Sequence, residues 1–136
     1  MKNLFAVVVT YNRADFLQNL LESFRHLGTR PDRIVVVDNA SSDHTAEVVS
    51  RAVAAGGLPI EYERLSTNVG GSGGFSRGVE LALEGGAEWL WLMDDDVEVL
   101  PGAVEALARF TPDYSCMIGR RYDAAGRPFF WQHHFV

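Results

Sequence analysis

A chain of 136 residues is long enough to bury one core and short for an enzyme that handles two substrates. Apolar and charged contents of 47% and 22% are those of an ordinary globular protein, and a formal net charge of -6 argues against nucleic acid as a partner, which calls for a basic face. No apolar run reaches the roughly 18 residues of a membrane span, Met1-Lys2-Asn3-Leu4-Phe5 is too short for a secretory signal, and the single Cys116 rules out an intramolecular disulfide, so a cytoplasmic protein is expected.

Phe5 to Val9 is a continuous apolar, β-branched run, as in a strand buried on both faces. Phe16, Leu17, Leu20, Leu21, Phe24 and Leu27 follow at helical spacing, with Gly28 as the stop. Ile34-Val35-Val36-Val37 reads as a second buried strand ending at Asp38-Asn39. Ser41-Ser42-Asp43 offers N-caps for a helix to about Ala55, closed by Gly56-Gly57. Ile60 to Leu65 alternates as a third strand, and Gly70 to Gly74 opens a third helix with Phe75, Val79, Ala82 and Leu83 on one face. Trp89-Leu90-Trp91-Leu92-Met93 is expected to be a fourth buried strand, cut off by Asp94-Asp95-Asp96. Pro101 suits the first turn of a last helix to about Phe110.

Four strand–helix alternations with short connections predict an α/β class with a mainly parallel sheet. Ligands of such sheets bind beyond the carboxyl ends of the strands. Those ends carry Thr10-Tyr11-Asn12-Arg13, Asp38-Asn39, Thr67-Asn68 and Asp94-Asp95-Asp96. The conspicuous polar residues therefore gather at one sheet edge.

Three carboxylates directly after an apolar strand repel one another and are partly desolvated. A hard divalent cation, Mg²⁺ or Mn²⁺, relieves that conflict and keeps coordination positions for water and phosphate. The competing reading is a solvated acidic loop beside a helix N-terminus. Asp38 can accept a hydrogen bond from a nucleobase N–H, or simply cap a turn. Thr10 and Tyr11 can offer backbone groups and a ring to a base or ribose, or merely pack. The run from Asn68 to Gly74, with Gly70 and Gly71 at its head, permits positive φ and close ligand approach at a helix N-terminus; otherwise it is a flexible connection. It has neither the spacing nor the Lys of a P-loop, and a dinucleotide fingerprint fails at its last glycine. Arg77 lies one turn into that helix, where it could reach a phosphate; the competing reading is a lone Arg with no such role.

Together, Val8-Val9-Thr10-Tyr11-Asn12-Arg13, Val36-Val37-Asp38-Asn39-Ala40-Ser41-Ser42-Asp43, Asn68-Val69-Gly70-Gly71 with Arg77-Gly78, and Trp91-Leu92-Met93-Asp94-Asp95-Asp96 resemble glycosyltransferase family 2, whose fold is GT-A. The match spans roughly residues 4 to 110, and the glycine-rich variant with its triple Asp looks like the galactofuranosyl- and rhamnosyl-transferase branch. The resemblance implies an inverting, metal-dependent transfer from a UDP- or dTDP-sugar to a saccharide or lipid-linked acceptor in cell-surface polysaccharide synthesis. It implies that Thr10, Tyr11, Arg13 and Asp38 meet the nucleotide sugar, with Asn68, Gly70, Gly71 and Arg77 beside base, ribose or phosphates. Asp94 and Asp95 would serve ribose and donor sugar, and Asp94 and Asp96 would hold Mn²⁺ or Mg²⁺. Peripheral membrane association of a full-length protein is a further implication.

Members of the family continue well beyond this length, so residues 1–136 are expected to form the N-terminal, donor-binding part of a truncated GT-A domain. A catalytic base for the acceptor hydroxyl is not identifiable: Glu98 is too close to the aspartates, Glu105 lies in a helix, and Asp113 and Asp123 lie in turn-like sequence. The aromatic tail Phe129 to Val136 reads as an internal segment cut short and prone to self-association, with His133 and His134 as weak metal-ligand candidates. A nucleotide-sugar-binding module without turnover is the alternative function. A sugar nucleotidyltransferase is set aside, because Thr10-Tyr11-Asn12-Arg13 stands where those enzymes carry a Gly-rich basic loop.

Overall fold

The computed structural model describes residues 1–129; the expectations for the tail, including His133 and His134, lie outside the described residues. β1 (Leu4–Thr10), β2 (Arg33–Asp38), β3 (Ile60–Arg64) and β4 (Trp89–Asp94) form one sheet in the order β3-β2-β1-β4, with every pairing parallel. Between them run α1 (Ala14–Arg25), α2 (Thr45–Ala54) and α3 (Gly70–Glu84), and α4 (Ala103–Ala108) follows β4. The expected α/β class is the observed one. No helix among the described residues is long and apolar enough to cross a membrane.

Period-two alternation divides the central strands between two cores. Leu4, Ala6 and Val8 of β1, with Ile34 and Val36 of β2, pack with Leu17, Leu20, Leu21 and Phe24 of α1 and Val48 and Val49 of α2. Phe5, Val7, Val35 and Val37 point the other way, where Ala82, Phe75 and Leu81 of α3 cover them. α3 approaches closely because its inner face is Gly74, Gly78 and Ala82. A Cβ on Gly74 would stand 2.6 Å from Val9 Cγ1, and one on Gly78 2.4 Å from Val7 Cγ1. These glycines bring the start of α3 down onto the ends of β1 and β2.

Four sequence expectations are corrected. β4 is an edge strand of the described sheet rather than one buried on both faces; its Trp89, Trp91 and Met93 pack inward while Leu92 is exposed. Phe16 and Leu83, placed on the apolar faces of their helices, are also exposed, because Leu17 and Ala82 hold the inward positions beside them. α2 starts at Thr45, since Ser41, Ser42 and Asp43 are drawn into the turn: Asp38 Oδ1 accepts from the Ser41 amide and Asn12 Oδ1 from the Ser42 amide. α4 starts after Pro101, because Gly102 has a φ of 82° and breaks the helical path.

Candidate functional site

Strand register builds the site. Val9 is paired with Asp94, Thr10 with Asp38, and Asp38 with Arg64, so four strands end level and deliver their polar residues to one edge. The connecting loops are laced together there. The Asn12 amide donates to Ser41 Oγ at 2.9 Å, and Asn12 Oδ1 accepts from the amide of Ser42 at 2.7 Å. Asp43 accepts from the amides of Ala14 and Thr45 and from the Thr45 hydroxyl. Burial would raise the Asp43 carboxyl, but these hydrogen bonds and the neighbouring His44 outweigh it and hold Asp43 below its ordinary value. Asn39 ties the start of α3 to the end of β2: its Nδ2 donates to the Gly70 carbonyl at 3.1 Å and its Oδ1 accepts from the Val69 amide at 3.3 Å.

The three aspartates are divided by burial. From Asp94 to Leu100 the chain alternates: Asp94, Asp96, Glu98 and Leu100 are exposed, while Asp95, Val97 and Val99 turn inward. Asp95 is 4% exposed, and its Oδ2 accepts from the Thr10 hydroxyl at 2.8 Å. Its Oδ1 lies 3.3 Å from Arg13 Nη1, which also reaches Asp96 Oδ2 at 3.2 Å. Burial raises the Asp95 carboxyl, opposed by the Thr10 and Arg13 contacts. The Val99 amide donates to Ser23 Oγ, pinning the far end of the acidic loop to α1. The Asp94 side chain makes no hydrogen bond or ion pair among the described residues, and among them no group of three or more His, Cys, Asp or Glu could hold a metal.

The other expected residues are distributed around this edge. Asp38 is fully buried; its Oδ2 accepts from the Tyr62 hydroxyl at 2.6 Å, and Arg64 Nε stands 3.8 Å away. Burial, reinforced by Asp38, raises the Tyr62 phenol strongly, so it remains a donor. Tyr11 is exposed, and so are Asn68, Gly70 and Gly71. Asn68 Oδ1 accepts from the Gly70 amide, and a Cβ on Gly70 or Gly71 would meet nothing within 4 Å. That is open space at a helix N-terminus. Arg77 is turned to Glu63 of β3 and Glu80 of its own helix.

Thr10, Arg13, Asp95 and Asp96 thus form one cluster with Asp94 beside it at the end of β4, Asp38 anchors a second, and Asn68, Gly70 and Gly71 are exposed near the start of α3. Sequence reasoning missed Asn39, Asn12, Tyr62 and Arg64 as organisers of the edge. Arg64 and Tyr62 had a signal, being the last and third-from-last residues of a strand whose end faces the site. Asn12 and Asn39 each follow a buried strand directly or by one residue, where a short amide side chain suits a tight turn.

The family model described as glycosyl transferase family 2 matches residues 5–135. Galactofuranosyltransferase GlfT1 of Mycobacterium tuberculosis is 39% identical over 95 residues, which is 70% of this chain and 31% of that protein. Abequosyltransferase RfbV of Salmonella typhimurium is 34% identical over 91 residues, covering 65% of this chain and 26% of the relative. Among solved structures, S. aureus TarS in complex with UDP-GlcNAc superposes with a TM-score of 0.67 at 26% identity, covering 82% of this chain and 31% of TarS. The mannosyltransferase PcManGT from Pyrobaculum calidifontis, in complex with GDP-Man and Mn²⁺, gives a TM-score of 0.72 over 88% of this chain and 36% of its own; at 20% identity it shows the fold alone, GT-A. The chain spans only 31% of GlfT1 and 26% of RfbV. The match along nearly the whole described chain, on a parallel sheet whose four strand ends converge on one polar edge, places the chain in glycosyl transferase family 2.

Proposed function

We propose that residues 1–136 are the donor-binding part of a transferase that moves a sugar from a UDP- or dTDP-sugar to a saccharide or lipid-linked acceptor. The observation that carries this reading is the level ending of β1, β2 and β4, which sets Thr10, Asp38 and the Asp94–Asp96 run side by side. The exposed ring of Tyr11 and the Asp38–Tyr62–Arg64 group form the nucleoside end. The open backbone at Gly70 and Gly71 receives phosphate oxygens, for which a helix N-terminus is suited. Asp95 acts through others: held by Thr10, it fixes the turn from which Asp94 and Asp96 face outward.

Two carboxylates, Asp94 and Asp96, would hold Mn²⁺ or Mg²⁺ only together with the diphosphate of the donor and water, which is the way such cations are usually bound beside phosphates. Asp94 and Asp96 are both exposed, the Asp94 carboxylate has no partner among the described residues, and hard cations take carboxylate oxygens while retaining water and phosphate positions. The cation would neutralise charge on the departing nucleoside diphosphate. In the inverting reaction the acceptor oxygen bonds to the anomeric carbon, the sugar–phosphate bond breaks, and the acceptor proton passes to a carboxylate base. Two of the remaining carboxylates among the described residues are already committed elsewhere. Glu105 accepts from the Thr29 amide, and Asp123 is held by the amides of Ala125 and Arg127 and by the Arg127 side chain. The same observation favours a second reading, a chain that binds the nucleotide sugar without turning it over. Both readings put donor binding here and expect Asp96→Ala to abolish Mn²⁺-stimulated UDP or dTDP binding. An unchanged affinity in that variant would remove the metal from the account.

A further inference from the structure

Arg13 occupies an unusual position in the acidic cluster. A single nitrogen, Nη1, serves both Asp95 Oδ1 at 3.3 Å and Asp96 Oδ2 at 3.2 Å. Its Nε and Nη2 make no hydrogen bond among the described residues, and its side chain is 52% exposed while that of Asp95 is 5% exposed. The two contacts therefore differ in kind. Asp95 is a buried carboxylate that already has Thr10 and needs a compensating charge; Asp96 is an exposed carboxylate held by a long, shared hydrogen bond that solvent screens.

We propose that Arg13 is a counterion placeholder, which occupies Asp96 until a divalent cation and a nucleoside diphosphate arrive and then passes to a phosphate oxygen. The proposal rests on reading Asp94 and Asp96 as the metal ligands. A cation held by those carboxylates competes with Arg13 Nη1 for Asp96, whereas Asp95 stays with Thr10 and faces inward. The free Nε and Nη2 supply the planar donor pair that suits phosphate. Exchange makes the two ligands cooperative: the diphosphate draws Arg13 off Asp96, and the cation takes the oxygen it leaves. Arg13 is thus a positioning residue that couples cation to donor.

The test is Mn²⁺ binding to the chain without nucleotide, followed by electron paramagnetic resonance of free Mn²⁺, in the wild type and in Arg13→Gln. The double variant Arg13→Gln/Asp95→Asn keeps the acceptor for Thr10 and removes the buried charge together with its partner, so it reads the same step if the single variant does not fold. Removing an exposed pair to Asp96 is expected to tighten Mn²⁺ about fivefold, and UDP should enhance Mn²⁺ binding less in the variant than in the wild type. Folded variants with unchanged or weaker Mn²⁺ affinity overturn the placeholder. If wild-type UDP binding depends on Mn²⁺ while Arg13→Gln alters nothing, the placeholder alone fails. If UDP binding ignores Mn²⁺ but the variants still bind Mn²⁺ more tightly, Arg13 does compete for Asp96, but its coupling of cation to donor is overturned together with the metal-dependent donor reading. Absence of Mn²⁺ binding in every protein overturns both.

Discussion

At the scale of single residues, the site is held by carboxylates with opposite electrostatic roles. Asp43 accepts three hydrogen bonds at the turn joining the β1 and β2 loops, and its pKa is lowered from 3.8. A depressed carboxyl stabilises the fold above its unfolded value, and that contribution is lost as pH falls through the lower folded value. The expected result is a carboxyl midpoint below 3.8 by NMR, with Asp43→Asn less stable than wild type at neutral pH and the gap closing in acid. A gap that stays constant across that range would contradict the assignment. Asp95 has the opposite sign: its raised value contributes below 3.8 and is lost as pH rises through the folded pKa, so burying it opposes stability at neutral pH. The aspartate run itself was legible in the sequence, because carboxylates ending an apolar strand conflict unless something compensates them. The inward turn of Asp95 was not, since its partners Thr10 and Arg13 lie 85 and 82 positions away.

At the scale of elements, the glycines of α3 serve two ends, and only one of them is legible in the sequence. The glycine-rich run predicts close ligand approach, and Gly70 and Gly71 do face open space. Gly74 and Gly78 instead seat the helix on Val9 and Val7. Gly78→Ala should cost about 1–3 kcal/mol by overpacking, more than the roughly 1 kcal/mol that alanine gains over glycine in a helix. Gly71→Ala, with nothing within 4 Å of its Cβ, should leave the unfolding midpoint unchanged or higher. Denaturant melts of the two variants check this, and equal effects would refute the close packing. Strand identity was legible from the β-branched runs, but the edge position of β4 was not. Five apolar residues read alike in a central strand and in one whose Leu92 is exposed, because burial there depends on which elements cover the sheet.

At the scale of the molecule, the topology explains why a short chain can carry a recognisable site. Parallel strands in the order β3-β2-β1-β4 bring residues from positions 10, 38, 64 and 94 to one edge, and the hydrogen bonds of Asn12, Asn39 and Thr10 lock the intervening loops. The parallel α/β class followed from alternating patterns alone; the family required four motifs in order. The central claim is that this edge binds a nucleoside diphosphate through a divalent cation. Calorimetric titration of UDP and dTDP into the chain, with Mn²⁺ and then with EDTA, tests it most directly. The account predicts saturable binding of one of the two nucleotides with Mn²⁺ and its loss with EDTA. Equal binding in both conditions, or none of either nucleotide with Mn²⁺ present, would contradict it.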